Sequence, residues 1–371
     1  AWNLHVRALT VPGQVLDVPM RWEISPLELP EQSPLKFHVW AYESRGVPFT
    51  DAVYRDLIEH HVNVFDLPVP KAEYASDGSL GALDWSAADQ LIARVPPDPF
   101  FLWSGRETVV QPGEGAPEVD SDAWRRAFEQ FVHAFIAGLC ERGIGYDRHA
   151  NYIIDEPGIA GGERVDLHER VAKLFLSVDP EIVIFANPAG GATIEHIERL
   201  LDVSSILDPI WFYPGHYVHL PLILEHAPVV WSYACGDGAK DRTRMEYYWA
   251  PVWRGAQLGM TGIGFWSYAG RAIDMWQGPV PNGCDWELVY PGDGTVVPSH
   301  RWQGLRLGVQ DYMRLAMLND AADAARERGD ASRADELTSR RAEFIDRVVS
   351  SGHDEGVAAE VRAEMRRLLL D

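Results

Sequence analysis

Cysteine is scarce: only Cys140, Cys235 and Cys284 occur in 371 residues, an odd number and far apart. That spacing encodes neither a disulfide framework nor a CxxC metal pair, and it leaves the redox compartment open. Positive charge is also short. The 33 Lys and Arg are outnumbered by 55 Asp and Glu, for a formal net charge of −22, which repels phosphate backbones and anionic membranes and removes nucleic acid from the expected partners. Long apolar runs are missing too. The longest, PEIVIFANPAGG around Val183 and APVVWSYACG around Val230, are too short and too polar to cross a bilayer, so no membrane span is expected. The first residues, AWNLHVRALTVPG, lack the basic start and continuous apolar stretch of a signal peptide, whereas Ala1 in place of Met fits one that has been removed. Both a cytoplasmic and an exported protein stay open on these grounds.

Cofactor signatures are absent as well. AGGERV and PAGGA lack the GxGxxG or GxxxxGK spacing of a phosphate-binding loop, and Gly161 and Gly162 read as a tight entry to a helix. His60 and His61 are adjacent at a predicted helix end, where their side chains diverge. His149, His216 and His300 are isolated, with no HExxH and no carboxylate-rich calcium loop. No metal and no cofactor is required.

Aromatic residues, in contrast, are plentiful: 14 Trp, 13 Tyr and 13 Phe, gathered at WFYPGHY, WSYACG, EYYWAPVW, GFWSY and DMWQG. Sugar rings stack their C–H faces on such planes while their hydroxyls take Tyr, Asp and Asn partners. Barrel cores also use aromatic side chains, so each of these residues has a packing alternative. With 46% hydrophobic and 24% charged residues, the composition is that of a chain folded almost end to end.

Residues 1–35 hold short alternating runs such as VLDVPMRWEI and then the turn-rich SPLELPEQSP, read as a short β segment and linker, too little for a complete β domain. From residue 36, eight short apolar runs alternate with helical patterns: LKFHVWAYES, VNVFDLPV, PFFLWSG, ANYIIDEP, EIVIFANPA, SSILDPIWFYP, APVVWSYACG and GIGFWSYAG. Eight strand-helix units over roughly 265 residues predict a (β/α)8 TIM-type barrel. DWELVYPGDGTVVPSHR predicts a hairpin, and RWQGLRLGVQDYMRLAML an eighth barrel helix. The expected catalytic barrel covers 36–318. Residues 319–371, rich in Ala, Glu and Arg, form a helical C-terminal extension that serves packing or assembly into a homo-oligomer.

In such a barrel the site lies at the C-terminal strand ends. Those ends offer Tyr42 and Glu43, Asp66, Trp103, Asp155 with Glu156, Asn187, Trp211 with Tyr213, Tyr233, and Trp266 with Tyr268. In NYIIDEPG, Ile153 and Ile154 deliver two adjacent carboxylates to a strand end before a proline. Two acids at one mouth suit glycosidic cleavage, one protonating the leaving oxygen and the other stabilising positive charge at the sugar carbon. Capping of the following helix is the structural alternative. Neighbouring residues do not readily flank a glycosidic bond from opposite faces at about 5 Å. That favours substrate-assisted cleavage, in which the sugar's own 2-acetamido oxygen attacks the anomeric carbon. Asp285 is a candidate for binding sugar hydroxyls or, equally, for capping a turn. An ion pair between Arg301 and Asp311 would account for both residues as supports of the final barrel helix.

YIIDEP, WSYACG, GMTGIGFWSY and ELVYPGDGTVVPSHRWQGLRLGVQDYMRLAML, with YPG, SHR, GLRLG and QDY in that order, resemble the barrel and tail of glycoside hydrolase family 123, the β-N-acetylgalactosaminidases, over about residues 36–318. The resemblance implies exo-acting, retaining removal of terminal β-linked N-acetylgalactosamine from an oligosaccharide or glycoconjugate, through an oxazoline. Asp155 would orient the acetamido group and Glu156 would be the general acid/base. Tyr213 would donate to the acetamido oxygen, and Trp231, Tyr233, Trp266 and Tyr268 would line the sugar pocket, with Asn187 and Asp285 as further substrate contacts. Members commonly carry a full β-sandwich before the barrel, whereas about 35 residues precede it here. A sugar without an acetamido group, cleaved with Glu43, Asp66 or Asp285 as nucleophile, is the enzymatic alternative, and a non-catalytic carbohydrate-binding barrel the other.

Overall fold

Each of the eight apolar runs becomes a short parallel strand, and together they close on themselves. A computed structural model describes the chain except residues 1, 10–14, 23, 42–46, 48, 111–112, 160, 211–217, 237–239, 241, 270–275, 277–285 and 371. The barrel strands are β1 (Lys36–Val39), β2 (Val64–Asp66), β3 (Phe100–Trp103), β4 (His149–Tyr152), β5 (Ile184–Ala186), β6 (Ile206–Leu207), β7 and β8 (Gly262–Phe265). Strand β7 consists of two pieces, Val229–Val230 paired with β6 and Tyr233–Ala234 paired with β8. The residues between them bond to both sides: Trp231 N donates to Leu207 O at 2.9 Å and Ser232 N to Gly262 O at 3.2 Å. With β8 paired to β1, the ring is complete.

Period-two alternation decides which side chains fill the barrel. Val64, Phe100, Leu102, Ala150, Phe185, Ile206 and Trp231 pack together inside. Their strand neighbours Phe37, Val39, Phe65, Phe101, Trp103 and Ile263 face outward into a core shared with the helices. On the far wall Ala186, Leu207 and Val230 do the same with Ile197, Leu200 and Ile223. Strand β8 contributes glycines inward, which makes room for large rings. A Cβ on Gly262 would stand 2.3 Å from Trp231 Cγ, and one on Gly264 3.0 Å from both Trp40 and Tyr233. Gly262→Ala is therefore expected to destabilise the protein by about 1–3 kcal/mol through overpacking. Chemical denaturation followed by tryptophan fluorescence checks this; an unchanged midpoint would contradict the close approach.

Two of the longer helices start at serine caps that the sequence supplies. Ser121 accepts from Trp124 N before Asp122–Glu141, and Ser299 accepts from Trp302 N before His300–Glu327. A hairpin, Lys71–Tyr74 with Leu80–Asp84, and a helix, Ser86–Ile92, lie between β2 and β3. The helix Leu220–His226 before β7 was not foreseen; its seven residues are too short to show a helical period. The expected hairpin near residue 290 pairs Val289–Pro291 with Val296–Pro298. Ahead of the barrel, Trp2–Leu9 and Val15–Trp22 form an antiparallel pair. Among the described residues no helix is long and apolar enough to cross a membrane.

At the C-terminus, Ala331–Ser350 and Glu355–Leu370 pack with His300–Glu327 and Ala250–Gln257 around Trp249, Trp253, Leu318, Phe344 and Met365. Arg301 and Asp311 do not pair. Ten residues along one helix separate them by about 15 Å. Arg301 Nη2 instead donates to Glu287 O and Tyr290 Oη, both at 2.9 Å. Asp311, fully buried, accepts from Trp249 Nε1 at 2.7 Å, Arg362 Nε at 2.9 Å and Arg314 Nη1 at 3.2 Å.

Candidate active site

The C-terminal end of β4 carries Tyr152, and Asp155 and Glu156 follow three and four residues later. In an extended strand two successive side chains would point to opposite faces. Here Glu156 has φ +47°, a left-handed conformation costing an L-residue on the order of 1–2 kcal/mol. That turn breaks the alternation and frees both carboxylates from opposite facing. Positive φ at a residue with a β-carbon is concentrated at functional sites.

Each carboxylate is held by an inward-facing residue of a different strand. Asp155 is exposed, and its Oδ1 accepts from Tyr152 Oη at 2.5 Å and Asn187 Nδ2 at 2.9 Å. Asn187 is fully buried at the end of β5, and its Oδ1 accepts from Glu156 N at 3.1 Å. One amide thus ties both acids together. Glu156 is half-buried, and its Oε1 accepts from Tyr233 Oη, at the end of β7, at 2.5 Å. Arg164 Nη1 braces the turn through Asp155 O at 2.8 Å.

Burial is the main cause that raises the Glu156 carboxyl above its ordinary value near 4.5; the nearby Asp155 charge adds to it, and the Tyr233 hydrogen bond opposes it. Burial and then the Glu156 charge push the Tyr233 hydroxyl far up, so it stays protonated and donates. A half-buried carboxyl whose proton affinity burial raises, beside an exposed carboxylate, is an arrangement that can do general acid/base work.

The other expected site residues fall in different places. Trp266 is half-buried and packs with Trp40, Ile210 and Tyr233 around the mouth, its ring 4.4 Å from that of Trp286. Trp231 lies deeper in the barrel interior, among Phe100 and Phe185. Tyr268 is not brought to the carboxylates: it is fully buried, and its hydroxyl donates to Asp56 Oδ2 at 2.8 Å. Tyr213 and Asp285 lie outside the described residues, as do Tyr42, Glu43 and Trp211. Asp66 is exposed, 3.5 Å from the buried His38. It lines a cavity of about 440 Å³ with Tyr54, Leu91 and Arg94, whose walls include none of the residues around Glu156.

Sequence reasoning missed Trp40, Tyr152 and Asp208. Trp40 follows β1, and its ring lies 5.3 Å from that of Tyr233, tilted by 59°. Tyr152 was hidden inside an apolar-looking run, although inward alternation from Ala150 marks it. Asp208, in ILDP, ends β6 as Asn187 ends β5, within a run that continues into the aromatic residues Trp211, Phe212 and Tyr213.

No protein-family model matches the sequence, and no curated protein does either. Among solved structures, the chain is similar to a family 123 glycoside hydrolase from Clostridium perfringens, with a TM-score of 0.54 and 14% identity, over 95% of this chain and 74% of that one. The two share a fold. Weaker likenesses, each with a TM-score of 0.46 and 13% identity, include an endo-1,4-β-D-mannanase from Thermotoga petrophila, over 76% of this chain and 99% of that one, and a family 39 glycoside hydrolase from Bacteroides cellulosilyticus, over 83% and 70%. The family 123 likeness supports the fold, an α/β barrel with a helical C-terminal end. The chemistry has to be argued from the residues.

Proposed function

We propose that the protein is a retaining, exo-acting glycoside hydrolase that removes a terminal β-linked N-acetylgalactosamine by substrate-assisted catalysis. The observation that carries this reading is the pair of neighbouring carboxylates, one exposed and doubly hydrogen-bonded, the other half-buried with its proton favoured, tied together by Asn187. Asp155 accepts the acetamido N–H and stabilises the positive charge that develops on that group. The acetamido carbonyl oxygen then attacks the anomeric carbon while Glu156 passes its proton to the departing glycosidic oxygen. The product of this step is an oxazolinium ion, which keeps its N–H proton in the hydrogen bond to Asp155. In the second step Glu156, now ionised, takes a proton from water as the water oxygen bonds to the anomeric carbon, and the ring opens to the β-sugar. Two inversions give retention.

Tyr233 contributes a donor that steadies Glu156 in its ionised phase, and Trp40 and Trp266 offer apolar ring faces at the mouth. The decisive measurement compares 4-nitrophenol release from the β-N-acetylgalactosaminide, the β-N-acetylglucosaminide and the plain β-galactoside. Cleavage of acetamido sugars alone, blocked by a thiazoline mimic of the oxazoline, is the expected result. Cleavage of the plain galactoside alone would sink the acetamido mechanism.

A further inference from the structure

Among the described residues, the inward-facing positions at the strand ends include the polar side chains His38, Asp66, Tyr152, Asn187, Asp208 and Tyr233. Three of them, Tyr152, Asn187 and Tyr233, hold the two carboxylates. His38 and Asp66 face each other at 3.5 Å. Asp208 stands apart from these pairings. Its backbone N–H continues the barrel ladder to Ala186 O at 2.8 Å, so β6 holds it in register beside Asn187. Ile206 faces inward and Leu207 outward, and Asp208 therefore faces inward again. It is 2% exposed, and its Oδ1 has no hydrogen-bond partner.

We infer that Asp208 forms the floor of the sugar pocket and binds a ring hydroxyl of the residue seated against Glu156. The inference rests on the glycosidase reading above and assigns that site a residue which recognises its substrate. A buried carboxyl oxygen left unbonded costs free energy that a ligand hydroxyl would recover. Burial raises the Asp208 carboxyl well above its ordinary range, and its charge, when present, opposes ionisation of Tyr233, which places it near the Glu156 cluster. A neutral carboxyl has one donor and one acceptor side, the same pair a sugar hydroxyl presents.

The test uses Glu156→Gln protein, whose turnover is slowed enough for binding to be read before appreciable hydrolysis, with 4-nitrophenyl β-N-acetylgalactosaminide and its 3-, 4- and 6-deoxy analogues as ligands in calorimetry. Adding Asp208→Ala is expected to weaken the parent ligand by about 10- to 100-fold, and Asp208→Asn, which keeps a donor and an acceptor, by clearly less. One deoxy analogue should bind as weakly as the parent binds the alanine variant, and should lose nothing more on that substitution. If Asp208→Ala does not fold, the deoxy series decides: one analogue stands out, and Asp208→Asn changes its gap from the parent. Equal binding of parent and all analogues, or parent affinity unmoved by Asp208→Ala, overturns the inference, as does failure of every ligand to bind. Wild-type turnover separates the two readings. Ligand binding that depends on Asp208 without any hydrolysis would sink the hydrolase and keep the pocket; hydrolysis that depends on Glu156 with binding indifferent to Asp208 would do the reverse.

Discussion

Glu156→Gln is expected to lower kcat on 4-nitrophenyl β-N-acetylgalactosaminide by about 10²- to 10⁴-fold, with KM changed little, because the amide neither gives nor takes the proton. The loss should be greater on a glycan leaving group, since nitrophenolate departs with little help from an acid. Wild-type activity should fall as pH rises through the Glu156 titration, which burial places above about 4.5. That limb should vanish in the glutamine variant. The stability sign follows from the same shift. A carboxyl whose folded pKa is raised is stable in the fold while protonated, and it destabilises the fold as pH climbs past its unfolded value and ionisation is enforced. Glu156→Gln removes that penalty, so at neutral pH the variant should melt no lower than the wild type. A variant that keeps kcat within tenfold would remove Glu156 from the acid role.

The second large effect concerns the fold and leaves the chemistry aside. Asp311→Ala is expected to cost about 3–5 kcal/mol, because it strips the counterion from two half-buried arginines and orphans two indole donors at once. The carboxylate is fully buried and joins Trp249 Nε1 and Trp253 Nε1, at 2.7 and 3.3 Å, to Arg314 and Arg362. It therefore couples the barrel helix Ala250–Gln257 to the helices His300–Glu327 and Glu355–Leu370. Guanidinium denaturation with tryptophan emission as the readout measures the loss. Asp311→Asn should lie between alanine and wild type, since it keeps an acceptor but no charge. An alanine variant within 1 kcal/mol of wild type would show that the network is dispensable.

Local pattern alone carried the architecture. Eight short β-branched and aromatic runs, most of them followed by a helical period, predict a parallel sheet covered by helices on both faces, and their number and spacing match a closed barrel. The neighbouring acids Asp155 and Glu156 were legible for the same reason: NYIIDEPG puts them at a strand end, and the strand end is where a barrel's site lies. The sequence did not reveal what each inward side chain meets across the ring. Strand pairing sets that, between residues dozens of positions apart. Asn187 bridges both acids only because β5 lies beside β4 in that register. Tyr268 follows Trp266 by two, and simple alternation would put them on one face. The chain leaves the strand after Phe265, however, and Tyr268 turns back to Asp56 instead. Asp208 is the clearest case. In the sequence it is an ordinary acid before a proline, and only burial within the closed barrel turns it into an unpartnered carboxyl facing the site. Burial is a property of the whole ring, and no window of sequence contains it.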